Sequence, residues 1–575
     1  MKLMKDLTTS LVDVLRQRAM HQPQKLAYRF LKDGEEEEIC LNFEDLDRRA
    51  RAIGALLQAT IRPGERVLLL LPTGLDFIIA YFGCLYANVI AIPLTPPHPA
   101  RIEKSLTVML RIIADAKPAA ALLNASLFAA IAAKQSVKEK LSKLRLLATD
   151  RDDLDHWTAQ WQANEIKGKD LAFLQYTSGS TTTPKGVMVS HANLLHNLSI
   201  LENSMGLTHD NQIVTWLPPY HDMGLIGGIL QGVYTGYTVT LIPHLLFLQR
   251  PLRWLKAVSR FQATTSGGPN FAYELCLRKI KPAQRDQLDL SSWEIAFNGA
   301  EPVYHKTLEQ FADFFEPCGF RREAFFPCYG LAEATLIVTG GPKWRAPVTM
   351  NLAKSALEDH QARITSSLDA AAQTLVSSGR NLACQNVKIV NPATLSPCAS
   401  DQVGEIWVSG PSVAAGYWNN PTATTATFTA YLSGSQEGPF LRTGDLGFMK
   451  EGELYVTGRL KNLIIVDGKN HYPHDLERTV AQAHPAIRPA GCAVFSVEEG
   501  GRELVVVIAE IEHRSEAASE EIRNAVRKAI AENHELKIHD IKLAIPGSIP
   551  KTTSGKIKHF LCKESYSSNT LKETL

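Results

Sequence analysis

Between Tyr176 and His191 the chain reads Tyr-Thr-Ser-Gly-Ser-Thr-Thr-Thr-Pro-Lys-Gly-Val-Met-Val-Ser-His. The stretch follows a strand-like run, Leu171–Leu174, and precedes a helix-like one, Ala192–Ser199. From Thr177 to Gly186 it carries six hydroxyl side chains, two glycines and one lysine. Small residues let a backbone approach a ligand closely, and hydroxyls with a lysine supply donors, so the composition suits a polyphosphate cradle. It is not a Walker A loop, because Pro184 precedes the lysine where that motif has glycine. A flexible Ser/Thr linker is the alternative, but such linkers seldom carry a Pro-Lys-Gly stop between a strand and a helix.

The strand-then-helix pattern extends outward. Arg66–Leu71, Ala119–Leu123, Asp170–Leu174, Gln212–Trp216 and Thr238–Ile242 read as short strands, separated by helix-length segments such as Phe43–Gln58 and Ala192–Asn203. This predicts parallel sheets covered on both faces. Leu7–Ala19 has the spacing of a surface helix. Ile78–Leu94 is the longest apolar stretch, but it contains Asn88 and Pro93 and falls short of the roughly 20 residues of a membrane helix, so it predicts a buried helix running into a core strand. After about Asn381 the texture changes to strands and turns, Val387–Val390, Gly404–Val408 and Leu454–Thr457, which predicts a β-rich subdomain. Beyond Gly458–Lys461, the strands Cys492–Phe495 and Leu504–Ile511 and the mixed-charge helix Glu520–Asn533 fit one small domain.

A length of 575 residues implies several domains. With 61 Lys and Arg against 59 Asp and Glu, no bulk field recruits nucleic acid or anionic lipid, so phosphate recognition must be local. The nine cysteines are odd in number and never form a CxxC pair, which argues against disulfides or Cys-based zinc and for a reducing cytoplasm. Asp6 and Asp13 interrupt the first residues where an export signal would be apolar. Glu35–Glu38 is expected to be a solvated hairpin tip.

Six further motifs follow the loop in order: Tyr220-His221-Asp222-Met223-Gly224, Asn298-Gly299-Ala300-Glu301-Pro302, Tyr329-Gly330-Leu331-Ala332-Glu333, Thr443-Gly444-Asp445-Leu446, Gly458-Arg459-Leu460-Lys461-Asn462 and Pro550-Lys551-Thr552-Thr553-Ser554-Gly555-Lys556. Together they resemble the adenylate-forming superfamily of acyl-CoA synthetases, peptide-synthetase adenylation domains and luciferases, across nearly the whole chain. The resemblance implies an α/β fold with a large N-terminal domain, residues 1–459, made of two doubly wound sheets and a β-rich subdomain, and a small mobile α+β lid, residues 460–575. It also implies a reaction in which a carboxylate attacks the α-phosphate of ATP and expels pyrophosphate. Such chemistry asks the protein for positioning and for neutralisation of phosphoryl charge.

By resemblance, Thr177, Ser178, Gly179, Ser180, Thr181 and Lys185 hold the β- and γ-phosphates, and Glu333 helps to hold Mg²⁺, a hard cation suited to oxygen ligands. Gly299, Ala300, Glu301, Tyr329 and Gly330 belong to the nucleotide site, with Ala300, Glu301 and Tyr329 forming the adenine slot. Asp445 accepts the ribose hydroxyls beside Arg459, and Lys461 marks the hinge. Lys556 bridges the substrate carboxylate and the α-phosphate. His221 lies between the nucleotide and acyl pockets, where a gating or lining role is expected; no second histidine at metal spacing and no GxSxG accompanies it. Thr182 stands where the superfamily usually has glycine, so the turn there is expected to differ locally.

Three features resemble one branch, the fatty acyl-AMP ligases. Gly340–Asp369 matches their insertion, thought to restrain lid rotation; Gly468-Lys469-Asn470-His471-Tyr472-Pro473 has Asn470 where acyl-CoA synthetases usually have arginine; and Trp216–Gly224 and Gly410–Trp418 look like that subgroup. The resemblance implies activation of a medium- or long-chain fatty acid, then transfer to the phosphopantetheine thiol of an acyl carrier protein. Only 19 residues follow Lys556, so that carrier is expected to be a separate partner, with membrane contact at most transient. A long-chain acyl-CoA synthetase is the alternative enzyme, and an inactive nucleotide- or lipid-binding module the alternative of another class.

Overall fold

The computed structural model describes residues 8–98, 102–150, 152–177, 184–369, 372–466, 469–499, 502–512, 516–552 and 555–571. Its α/β plan follows the sequence pattern. A six-stranded sheet runs in the order Arg145–Ala148, Ala120–Leu123, Arg66–Leu70, Ile90–Pro93, Leu171–Thr177, Lys185–Ser190. Its first five strands are parallel, and the last is antiparallel to Leu171–Thr177. The apolar stretch near residue 80 forms the helix Leu75–Tyr86, buried on almost every face, and the core strand Ile90–Pro93. A helix apolar all round is a core helix.

The other doubly wound sheet and the β-rich part share one continuous sheet of 13 strands. Phe325–Gly330 is the seam: it pairs parallel with Ile295–Asn298 on one side and antiparallel with Ile337–Gly340 on the other. Beyond the seam lie the antiparallel strands Glu453–Arg459, Leu441–Lys450, Gly404–Ser409 and Asn386–Val390. The motif that begins at Tyr329 therefore leaves the sheet where parallel topology gives way to antiparallel.

After Arg459 a single 3₁₀ turn, Leu460–Asn462, leads to the segment expected to be the lid, made of Ile487–Glu499, Arg502–Ile511 and Ile538–Ala544 with the helices Pro473–Ala483, Glu516–His534 and His559–Ser567. Its own apolar core gathers Leu476, Val480, Val494, Val507, Ile522 and Val526. Residues 340–369 contain the strand Thr349–Ala353 and the helix Lys354–Glu358, and the strand pairs with Ala372–Val376. This small sheet packs against the lid's first residues: Leu352 and Leu357 share a cluster with Tyr472.

Two local expectations change. The first helix runs Leu11–His21, later than the spacing suggests, because Ser10 forms a capping box with Asp13 and fixes the start. Glu35–Glu38 is a hairpin tip, but its acids are paired: Glu35 faces Arg250, Arg253 and Lys256, and Arg260 reaches Glu36 and Glu38. Among the described residues, no helix is long and apolar enough to cross a membrane.

Candidate active site

Strand pairing sets the two ends of the phosphate loop. Thr177 stands opposite Lys185, and Tyr176 opposite Gly186. A Cβ on Gly186 would come within 2.9 Å of the Tyr176 ring, so glycine lets that ring lie across the strand. The Tyr176 hydroxyl in turn donates to Asp115. Ser178, Gly179, Ser180, Thr181 and Thr182 lie outside the described residues. Lys185 leaves the loop with its ammonium 4.6 Å from the centre of the Tyr417 ring. Burial first, and then the neighbouring Lys461, hold its pKa below the ordinary lysine value, against the pull of Glu333.

Glu333 sits in the 3₁₀ turn Ala332–Ala334, which leaves the seam strand. The next residue but one, Thr335, adopts φ 69° and ψ −61°, and Leu336 N–H donates to the Ala334 carbonyl at 2.8 Å. This is a γ-turn, a strained conformation that costs about 1–3 kcal/mol and persists only where its surroundings enforce it. Here the Thr335 hydroxyl donates to the Ser412 carbonyl at 2.6 Å, and the Glu333 carbonyl accepts from Ala414 N–H at 2.9 Å. The loop folds so tightly that a Cβ on Gly330 would lie 1.8 Å from the Leu336 carbonyl oxygen. At its tip, Glu333 Oε1 accepts a hydrogen bond of 2.8 Å from the Tyr417 hydroxyl.

Asp445 and Arg459 face each other across the hairpin of Leu441–Lys450 and Glu453–Arg459. Arg459 Nε donates to Asp445 Oδ1 at 2.8 Å, and the Tyr329 hydroxyl donates to Oδ2, also at 2.8 Å. Both carboxylate oxygens are oriented, and each keeps a lone pair for a further hydroxyl. The charge of Asp445 is the main influence raising the pKa of Arg459. Beside Tyr329, Gly299 packs against the Cys328 backbone and Ala300 takes the left-handed φ of 70°. Glu301 accepts Phe271 N–H at 2.6 Å, and burial pushes its pKa up to about 7 against that bond and against Lys556.

Lys556 reaches this cleft from the lid. Its loop is closed by Thr552 N–H to the Lys556 carbonyl at 2.7 Å and by Lys556 N–H to the Thr552 hydroxyl at 3.0 Å. The residue is exposed, and its charged neighbours are Arg459, Asp222, Asp445 and Glu301. Desolvation, then Arg459, lower its pKa, while the three carboxylates oppose. Beside it, burial and then Lys556 and His244 lower the pKa of His221 to about 4. A neutral, weakly basic imidazole suits a lining group better than a general base.

The cleft therefore gathers Lys185, Lys461 and Glu333 at one end and Asp445, Arg459, Tyr329, Glu301, His221 and Lys556 toward the other. Two members escape a motif-by-motif reading. Asp222, whose pKa burial raises, accepts Met223 N–H at 2.7 Å and lies near Lys556 and Glu333. Tyr417 touches both Lys185 and Glu333 from a segment more than eighty residues beyond Glu333; it lies in Gly410–Trp418, which the sequence marked only by its resemblance to one subgroup and without a role. Among the described residues no three His, Cys, Asp or Glu side chains cluster to hold a metal. A single carboxylate with hard oxygen donors fits Mg²⁺, which takes one or two carboxylates and completes its shell from substrate phosphates and water.

A carboxylate oriented by an arginine and a tyrosine, with two lysines and a lone glutamate near by, is a set of groups that would suit an ATP-dependent adenylating enzyme. Residues 15–418 match the AMP-binding enzyme family, and the chain belongs to it. Residues 461–574 match the AMP domain of the disco-interacting protein 2-like family. Within the AMP-binding enzymes the chain stands among the fatty acyl-AMP ligases. It is 43% identical to the medium-chain-fatty-acid–[acyl-carrier-protein] ligase JamA of Moorena producens, over 98% of this chain and 96% of that one. It is 36% identical to the long-chain-fatty-acid–AMP ligase FadD26 of Mycobacterium marinum, over 97% of each. Among solved structures, the fatty acyl-adenylate ligase of Legionella pneumophila in complex with acyl adenylate and pyrophosphate matches with a TM-score of 0.77 and 44% identity, over 98% of this chain and 97% of that one.

Proposed function

We propose that this protein uses ATP to convert a medium- or long-chain fatty acid to its acyl-adenylate, and then passes the acyl group to the phosphopantetheine thiol of a separate acyl carrier protein. The observation that carries the reading is Lys556, set beside Arg459 and Asp445 in one cleft. A cation there can bridge the two anions that must meet, the fatty carboxylate and the α-phosphate, and neutralise charge as the new P–O bond forms and pyrophosphate leaves. Asp445 anchors the ribose hydroxyls and Tyr329 offers its ring to the adenine beside Gly299, Ala300 and Glu301. Thr177 and Lys185, with Ser178, Gly179, Ser180 and Thr181, bind the β- and γ-phosphates. Glu333 would hold Mg²⁺, which when bound offsets phosphate charge and polarises the leaving group. His221 lines the passage toward the acyl chain as a neutral group.

The lid, residues 460–575, would turn about Lys461 after adenylation, withdrawing Lys556 so that a thiol can approach the mixed anhydride. Residues 349–376 oppose that rotation: Asn470 Nδ2 donates to the Glu358 carbonyl at 2.7 Å, Gln373 Nε2 to Asp475 Oδ2 at 2.9 Å, and Lys354 to the Asn533 carbonyl. Those ties favour a slow, carrier-driven second step over rapid release to free CoA. The test is incubation with labelled fatty acid, ATP, Mg²⁺ and either CoA or a phosphopantetheinylated carrier. Acyl-AMP that persists with CoA but is consumed by the carrier supports the reading; efficient acyl-CoA formation refutes it.

A further inference from the structure

We propose that Tyr417 is a positioning residue for adenylation, setting the direction of the Glu333 carboxylate and the seat of the Lys185 ammonium together; this rests on the reading of the site given above. Lys185 belongs to the six-stranded sheet, while Glu333 belongs to a loop off the 13-stranded sheet. The segment carrying Tyr417 is bonded to both. Met188 N–H donates to the Gly416 carbonyl at 2.9 Å and Trp418 N–H to the Gly186 carbonyl at 2.7 Å, while Ala414 N–H reaches the Glu333 carbonyl. The side chain repeats the connection, with its hydroxyl 2.8 Å from Glu333 and its ring face under Lys185. An edge-on contact with Phe428, ring centres 5.1 Å apart, fixes the ring.

The chemistry explains why a phenol stands there. A lysine and a glutamate at one end of a shielded cleft would lower their energy by pairing with each other, and each would then have to be pulled free before it met a phosphate or a cation. Among the described residues Lys185 and Glu333 form no ion pair. Tyr417 gives the ammonium a π face and the carboxylate a donor, so both are held apart, with Glu333 still able to offer an oxygen to a cation.

The plain alternative is a core tyrosine that merely joins the two sheets. Tyr417→Phe separates the two roles, since it keeps the ring, its packing and the Lys185 contact but removes the bond to Glu333. Calorimetric titration of ATP at stepped Mg²⁺ concentrations, with EDTA as the metal-free control, reads the effect directly. The Mg²⁺ concentration giving half of the metal-dependent gain in ATP affinity is expected to rise about tenfold, the loss of one hydrogen bond to a charged group. Metal-free ATP affinity and the thermal midpoint should stay at the wild-type values, and the rate of fatty-acid-dependent pyrophosphate–ATP exchange should fall with little change in the KM for the acid. Tyr417→Leu should weaken metal-free ATP binding as well, because Lys185 loses its seat. Wild-type Mg²⁺ dependence in Tyr417→Phe overturns the proposal, as does a fall in thermal midpoint with that dependence unchanged. If the wild-type protein shows no fatty-acid-dependent exchange, the function assigned above fails, while the calorimetric response to Mg²⁺ still decides the role of Tyr417.

Discussion

Cutting the ties between the lid and residues 349–376 should free the lid, and the size of the effect follows from the bonds. Asn470→Ala removes the donor to the Glu358 carbonyl, and Gln373→Ala removes the donor to the Asp475 carboxylate. A hydrogen bond between neutral partly buried groups contributes about 1 kcal/mol, and one to a charged acceptor about 1.5–3 kcal/mol. Both sites are shielded: Asn470 is 9% exposed, and the Asp475 side chain 12%. Together the two changes should move the lid equilibrium by about 3 kcal/mol, roughly a hundredfold. The ion pair of Lys469 with Glu358, at 3.5 Å on a half-exposed lysine, adds little to this. Single-pair energy transfer between a dye on the large domain and one on the lid reads the distribution directly. The double variant should populate a second lid position that the parent lacks, and its yield of acyl-CoA with free CoA should rise. Acyl-AMP formation should hold near the parent rate, because neither bond touches the loop of Lys556. A lid distribution unchanged in the double variant would refute the reasoning, for it would place the restraint in what remains, the Lys354 bond to the Asn533 carbonyl and the apolar contacts of Leu352 and Leu357 with Tyr472.

Three further outcomes are expected. Lys556→Ala should abolish adenylate formation while leaving ATP binding largely intact, and near-normal pyrophosphate release by that variant would sink the role given to this lysine. Asp445→Asn keeps the shape but loses the charge that Arg459 and a ribose would share; its KM for ATP should rise by about ten- to a hundredfold with a smaller change in kcat, and an unchanged KM would count against ribose recognition there. His191 and His221 are both held neutral, with burial the first cause and pKa values of about 4 against 6.5 for the free side chain. The unfolded chain therefore binds more protons than the native one between those values, so stability present above about pH 6.5 is lost as the pH falls toward 4. Urea midpoints measured from pH 7 to 4.5 should decline, and less steeply in His191→Gln; a flat profile contradicts the assignment.

Legibility from sequence depended on how local the controlling physics is. The strands Arg66–Leu70 and Gln212–Thr215, and the helix Phe43–Gln58, could be found within a residue or two, because periodicity and short apolar runs dominate their choice of structure. The Ser10 capping box was equally local, and its Asp13 partner was available as a signal three residues on. What escaped was produced by distant chain. The pairing of Glu35 with Arg250, Arg253 and Lys256 joins positions more than two hundred residues apart, and a run of four acids in isolation reads as solvated surface. The joining of two sheets through Phe325–Gly330 is invisible for the same reason, since a strand does not declare which neighbour it will take. The ordered motifs singled out Lys185, Glu333, Tyr329, Asp445, Arg459 and Lys556, which the fold brings near one another, while Asp222 and Tyr417 lay in quoted stretches but drew a role only from what stands across from them.

On the function proposed above, the cleft's local charge would let a chain of net charge +2 bind a polyanion. Lys185 is part-buried near Lys461, and Lys556 stands near Arg459, so like charges crowd both lysines. That crowding makes each cation costly until phosphate arrives. That arrangement is electrostatic preorganisation, in which the reorganisation cost is met during folding and not during the reaction. The carboxylates limit the repulsion: Asp222, Asp445 and Glu301 stand around Lys556, and Glu333 near Lys185. In the function proposed above, binding at Lys185 and catalysis at Lys556 would fall to different parts of the chain, a strand end and the C-terminal lid. Rotation about Lys461 would then remove the second cation without releasing the first. A fixed Lys556 would leave a positive charge beside the newly made anhydride after its task was complete, and it would crowd the approach of a thiol; a lid tied by a few hydrogen bonds lets the same fold neutralise charge in one step and clear the way in the next.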